Sequence, residues 1–153
     1  MPIVLEPRID VEAVAPEAKR AISALDAYVA RSALEPALLE LVRLRASQIN
    51  GCAYCVDMHS KDARARGETE QRLYGLSVWR ETPYYTNRER AALAWTEAVT
   101  LVHDGHVPDE VYAEARAQFG EEELIALTVA VIAINAWNRL AISVRMVPGT
   151  YEP

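Results

Sequence analysis

Apolar residues recur every three or four positions along most of this chain, the period of helices with one buried face. Ala21, Ile22, Leu25, Tyr28 and Val29 predict a helix from Glu17 to about Ala30. Leu38, Leu41, Val42 and Leu44 predict a second over 36–49, with Pro36 suited to its first position and Asn50-Gly51 as its stop. A third is expected from near Cys52 to Gly67, and a short one from Thr69 to Trp79. Thr86 with Glu89 three residues on has the form of a capping box. It opens a helix to about His103, with Leu93, Ala94, Ala98 and Leu101 inside, ended by Asp104-Gly105. Pro108 opens a further helix that stops before Gly120. The last, from about Glu121 to Met146, is apolar on several faces, so it belongs in a core or at a subunit interface. Residues 1 to about 15, with Pro2 and Pro7, read as an irregular arm. No segment alternates with period two. The expectation is an all-α single domain over 1–153 with six to seven helices.

Composition agrees. Half the residues are hydrophobic (51%), yet only six are Gly and one is Phe, a mix typical of helical proteins. The net charge of −6 is spread along the chain and offers no footprint for nucleic acid. The start lacks a basic segment followed by an apolar run, so no signal peptide is expected. The apolar stretch Leu124 to Ile134 is too short to span a bilayer. A cytoplasmic protein without membrane contact is the expectation.

Both cysteines stand in Cys52-Ala53-Tyr54-Cys55, with His59 four residues beyond. Two cysteines so close are no scaffold, and such pairs are commonly catalytic or metal-binding. At a helix start they project from one face together with His59. The partial positive charge of the first turn lowers a thiol pKa. A thiolate, a second thiol to capture its oxidised form and an imidazole to carry a proton make a redox dithiol site.

A carboxylate partner for the imidazole follows from geometry. If the helices on either side of Gly51 fold back on each other, Glu40 and His59 lie roughly 16 and 12 Å from the turn at about 1.5 Å per residue. They face each other at similar height, as a base and the group that orients it. Glu35 is farther away and better placed as a cap, and Asp57 points away from the cysteine face.

Glu40, Cys52-Ala53-Tyr54-Cys55 and His59, together with Gln48-Ile49-Asn50-Gly51 and Met58-His59-Ser60-Lys61-Asp62-Ala63, resemble the alkylhydroperoxidase AhpD-like branch of the carboxymuconolactone decarboxylase family. Asn135-Ala136-Trp137-Asn138-Arg139-Leu140 is similar to a helix of the same branch. The resemblance covers roughly residues 35–145. It implies an all-α trimer or hexamer without a bound cofactor. It also implies a thiol-dependent peroxidase whose Cys52–Cys55 disulfide is formed by hydroperoxide and reduced by an external thiol or lipoyl-type donor. Carried onto these positions, Cys55 is the attacking thiolate, Cys52 the resolving thiol that exchanges with the donor, and His59 with Glu40 the proton relay. The founding peroxidase has a histidine where this chain has Tyr54, a hydrogen-bond donor but a poor base at neutral pH.

Other readings stay open. Two buried structural cysteines are common. A zinc site on Cys52, Cys55 and His59 lacks an obvious fourth ligand. The family's other activity, decarboxylation of a γ-lactone acid, needs no dithiol, and a redox-responsive assembly protein needs no turnover. Trp79, Trp95 and Trp137 read as packing residues, Trp137 and Asn138 also as candidates for the pocket wall. His103 and His106 read as surface or capping groups.

Overall fold

The computed structural model describes all residues 1–153. It is all-α, with helices α1 (Val11–Val14), α2 (Pro16–Ala30), α3 (Pro36–Asn50), α4 (Ala53–Ala65), α5 (Glu70–Gly75), α6 (Asn87–Thr100), α7 (Asp109–Gln118) and α8 (Glu121–Val144). The expected element at 69–79 divides. Thr69 caps α5, and the chain then tightens into a 3₁₀ turn, Leu76–Glu81, so that Leu76 and Trp79 both turn inward. The expected irregular arm holds the single turn α1, capped by the Asp10 carboxylate. α6 stops at Thr100, which leaves Leu101 exposed where burial was expected. Glu35 stands at the N-cap position of α3 but makes no cap bond, and its carboxylate instead holds Arg88.

α3 is central and packs against α4, α6 and α8. Leu38, Leu39 and Val42 join Ala92 of α6 and Leu127 and Val131 of α8 in the larger core, while Leu41 and Leu44 pack toward α4 and the 3₁₀ turn with Leu76, Trp79 and Leu93. Its end at Gly51 is left-handed (φ 69°), a conformation that a Cβ disfavours. Immediately beyond, Cys52 caps α4, which runs back along α3 as a hairpin.

α8 is longer than its apolar run and continues through Asn135 to Val144. By length and composition it could cross a membrane. Here it packs on α2, α3 and α6, with Leu127, Ala130, Val131 and Ala133 fully buried. Its two asparagines bond into α3. Asn50 Nδ2 donates to Asn135 Oδ1 (3.0 Å) and to Asn138 Oδ1 (2.9 Å), and Asn138 Nδ2 donates to Ser47 Oγ (3.0 Å). Asn138 is wholly buried and takes no part in the cavity wall, contrary to the expectation for it.

An apolar group at 138 would remove the bonds to Asn50 and Ser47, which keep Asn135 Oδ1 and the Arg43 carbonyl as their remaining partners. Asn138→Leu is expected to destabilise the fold by about 1–3 kcal/mol, two hydrogen bonds lost at a net worth of about 0.5–1.5 kcal/mol each. A urea-melt midpoint unchanged from wild type would show that the asparagine bonds contribute nothing net.

Candidate active site

The hairpin of α3 and α4 brings the dithiol and its proton partners together. Cys52 occupies the N-cap of α4 with an extended backbone, and its Sγ accepts the Cys55 N–H at 3.3 Å. This departure from helical geometry lets the two sulfurs meet. The Cα atoms are 5.3 Å apart and Cys52 and Cys55 form a disulfide. Both cysteines pack with Ala46 of α3 and with Ile134 and Ala141 of α8.

Only one cysteine faces open space. A cavity of about 480 Å³ lies between α2, α3, α4 and α8, and Cys55 lines it with Glu40, His59, Tyr54, Met58 and Trp137. Cys52 is 1% exposed and is not on the wall. Trp137, but not Asn138, borders the cavity as the sequence suggested.

His59 and Glu40 meet where the hairpin argument placed them. His59 Nδ1 and Glu40 Oε2 are 2.8 Å apart, both buried. An ionised carboxylate only accepts, so Nδ1 carries the hydrogen and Nε2 is left to exchange a proton. Arg43 Nη1 donates to Glu40 Oε1 at 3.0 Å. Burial pushes the Glu40 carboxyl up, but the hydrogen bond and charge of His59 and the Arg43 guanidinium outweigh it and hold the group below its ordinary value.

Several groups in this region carried no signal in the sequence. Arg43, Asp26 and Arg66 line the cavity, together with Asp62, which the sequence offered only as part of the family-like segment. Each is an ordinary charged helix residue until the tertiary structure gives it a neighbour. The chain end also joins the site. Lys61 donates to the Tyr151 carbonyl (2.9 Å), Asp57 Oδ2 accepts from Gly149 N (3.0 Å), and the Tyr151 hydroxyl donates to Asp62 Oδ1 (2.8 Å). That last bond, with some burial, pushes the Tyr151 phenol up to about 12, so it remains a donor.

Glu40, His59 and Asp62 place ligand atoms within 4.8 Å of one another. A divalent cation there would have to displace the His59–Glu40 bond and stand beside two guanidiniums, Arg43 and Arg66, the latter 3.8 Å from Glu40. The charges around this cluster suit proton handling better than cation binding.

The family model described as "Carboxymuconolactone decarboxylase family" matches residues 16–98, more than half of the chain. The chain belongs to the carboxymuconolactone decarboxylase family. The matched segment runs from α2 through most of α6 and includes Glu40, both cysteines and His59. Among relatives in this family, the uncharacterized protein YdfG of Bacillus subtilis is 40% identical over 136 residues, 89% of this chain and 92% of its own. A crystal structure from Agrobacterium tumefaciens, of a protein of unknown function provisionally named antioxidant defence protein AhpD, is 46% identical. It superposes with a TM-score of 0.91 over 95% of this chain and 100% of its own. An uncharacterized peroxidase-related protein of Ralstonia eutropha, described as an alkylhydroperoxidase AhpD core, shares the fold at 22% identity. Its TM-score is 0.80, over 94% of this chain and 77% of its own. The AhpD-like fold expected for this family is the fold found, with the cysteine pair at the start of α4.

A carboxyl held below its ordinary value stabilises the fold above that ordinary value, 4.5, and the contribution is lost as pH falls through the lowered folded value. Wild type is therefore expected to exceed Glu40→Gln in stability at neutral pH, by a margin that shrinks as pH falls below about 4.5. Urea melts between pH 7 and pH 3 measure the margin, and a pH-independent margin would contradict the ionised assignment.

Proposed function

We propose that this chain is a thiol-dependent peroxidase of the AhpD kind that reduces organic hydroperoxides through Cys52 and Cys55. The observation that carries this reading is the wall of the cavity. One cysteine of a disulfide-forming pair opens into it beside a histidine hydrogen-bonded to a buried carboxylate.

In the reduced protein, His59 takes the Cys55 proton. The thiolate attacks the distal peroxide oxygen, the O–O bond breaks, and the alkoxide leaves as alcohol with the proton from His59. Cys55 becomes a sulfenic acid. Cys52 attacks that sulfur, the disulfide forms, and hydroxide departs with the Cys52 proton as water. The dithiol has then supplied two electrons to the peroxide. A thiol or dihydrolipoyl-type donor returns them by thiol–disulfide exchange.

The resemblance assigned donor exchange to Cys52. The cavity wall favours Cys55 for both half-reactions, since of the two buried cysteines it alone borders the cavity. Attack there releases Cys52 as a thiolate, and its sulfur already accepts the Cys55 N–H at the helix start. Tyr54 lines the same cavity and is positioned to contact substrate rather than to act as a base.

A homotrimer or homohexamer fits the outer face of α8. Ile125 and Ile132 are exposed two turns apart, with half-buried Val129 and Ala136 on the same face. An apolar stripe of this kind on an otherwise packed helix supports a contact between subunits.

Stopped-flow oxidation of the reduced protein by cumene hydroperoxide, read by mass spectrometry, tests the chemistry. Wild type is expected to give the intramolecular disulfide and Cys52→Ser to stop at one sulfenic acid. Cys55→Ser is expected to react no faster than a free thiol, and His59→Gln to be slowed about 10²–10⁴-fold, the usual worth of a positioned acid–base group. Oxidation of wild type at the rate of an ordinary thiol would remove the peroxidase reading. Turnover of a γ-lactone acid that survives both cysteine substitutions would favour the decarboxylase. For the assembly, Ile132→Glu is expected to reduce the mass in solution to that of one chain by light scattering, and a wild-type monomer would end that proposal.

A further inference from the structure

The contacts on the cavity wall do not end at Glu40. Arg43 lies one turn later on α3 and reaches two carboxylates at once. Its Nη1 donates to Glu40 Oε1 at 3.0 Å, and its Nη2 stands 3.5 Å from Asp26 Oδ1 on α2. The second Asp26 oxygen accepts the indole N–H of Trp137 on α8 at 2.7 Å. A continuous line, His59–Glu40–Arg43–Asp26–Trp137, therefore ties four helices around the space in front of Cys55. The Arg43 side chain is only 17% exposed and that of Glu40 3%, so little water screens that pair, whereas Asp26, at 34%, is more strongly screened.

The geometry points to Arg43 and Asp26 as positioning residues that set the proton affinity of the Glu40–His59 pair. Arg43 lowers that affinity and Asp26 tempers Arg43, while Trp137 holds Asp26 in place. The inference rests on the peroxidase reading only for its consequence, since the pair serves Cys55 in that reaction. Its physical basis is independent of substrate. A fixed positive charge beside a coupled acid–base pair disfavours the proton on either member, and a fixed negative charge favours it, whichever atom carries the proton.

The other groups facing the pair are few. α2 adds Lys19, which is paired with Glu12, α4 adds Tyr54, Cys55 and Asp62, and Arg66 stands just past its end. Asp62 is occupied by the Tyr151 hydroxyl of the chain end, and α8 offers Ile134, Trp137 and Ala141 but no charge. Arg66 stands 3.8 Å from Glu40, but its side chain is half exposed and more strongly screened than Arg43. Arg43 is thus the dominant fixed cation of the site, and Asp26 is the carboxylate that fixes it from the side away from Glu40. Asparagine at 26 would still accept the Trp137 bond, so that substitution changes charge while leaving the tie to α8 in place.

The chain has three histidines, and His103 and His106 are exposed near the turn after α6, so their NMR titrations serve as internal references for His59. In the reduced protein, Arg43→Met is expected to raise the His59 midpoint by about one unit and Asp26→Asn to lower it by about half a unit, as charges removed at this range require. Arg43→Lys should return most of the Arg43→Met shift, with His103 and His106 unmoved throughout. Shifts of the same sign in Arg43→Met and Asp26→Asn, or no movement of His59 in either, would overturn the inference. If Arg43→Met does not fold, Asp26→Asn decides alone, and a His59 midpoint that fails to fall in it overturns the inference. Peroxide oxidation followed on the same samples separates the two proposals. Opposed His59 shifts in a protein inert to peroxide would remove the peroxidase reading and leave the positioning roles standing, whereas rapid oxidation without those shifts would do the reverse.

Discussion

A carboxylate taken out of water must be given hydrogen bonds and positive charge, or it binds a proton and ceases to be a carboxylate. Glu40 is such a group, 2% exposed in the helix that packs against α4, α6 and α8. Its two oxygens require partners, and they come from both sides of the site. His59 approaches from α4 and Arg43 from the next turn of α3. The first of these contacts needs α4 to run back along α3, and that direction depends on the left-handed turn at Gly51. The hairpin and the charge of Glu40 are therefore one requirement seen at two scales.

The cysteines depend on the same turn. Gly51 ends α3 one residue before Cys52, so Cys52 falls at the N-cap instead of inside α4. An N-cap residue is free of helical dihedrals, and this freedom lets its sulfur reach Cys55. The surrounding Ala46, Ile134 and Ala141 are apolar and close, which keeps Cys52 from solvent and leaves Cys55 as the sulfur at the cavity. The acid–base pair and the dithiol are in this way placed by one glycine and two helices, with α8 as the wall behind them.

That wall is apolar along much of its length but not uniformly. Asn135 and Asn138 interrupt the hydrophobic run where α8 passes the end of α3, and they bond to Asn50 and Ser47. Apolar contact is non-directional and would tolerate a slide of α8 along α3, whereas these bonds have fixed geometry. They hold in register the last turn of α3, from which the chain enters Gly51 and Cys52.

The sequence alone determined the features that depend on neighbours along the chain. Helical periodicity marked most of the helices, and Gly51, Pro36 and the Thr86–Glu89 box marked their ends. The i, i+3 and i+4 spacing put Cys52, Cys55 and His59 together, and the hairpin about Gly51 made Glu40 the carboxylate to face His59. Local rules reached less far in the short elements. The divided segment at 69–81 depends on Leu76 and Trp79 packing inward, and the single turn at Val11–Val14 is too short for a period to mark it, held by the Asp10 cap with no buried side chain. Only the tertiary structure decided that Asn138 ties helices instead of lining the cavity, that Glu35 serves Arg88, and that Arg43, Asp26 and the Tyr151 hydroxyl belong to the site. The reason is physical. A charged residue on a helix has the same local signature whether water or another helix lies before it, and its partner, 17 residues away for Asp26 and Arg43 or 89 for Tyr151 and Asp62, is named only when the helices pack.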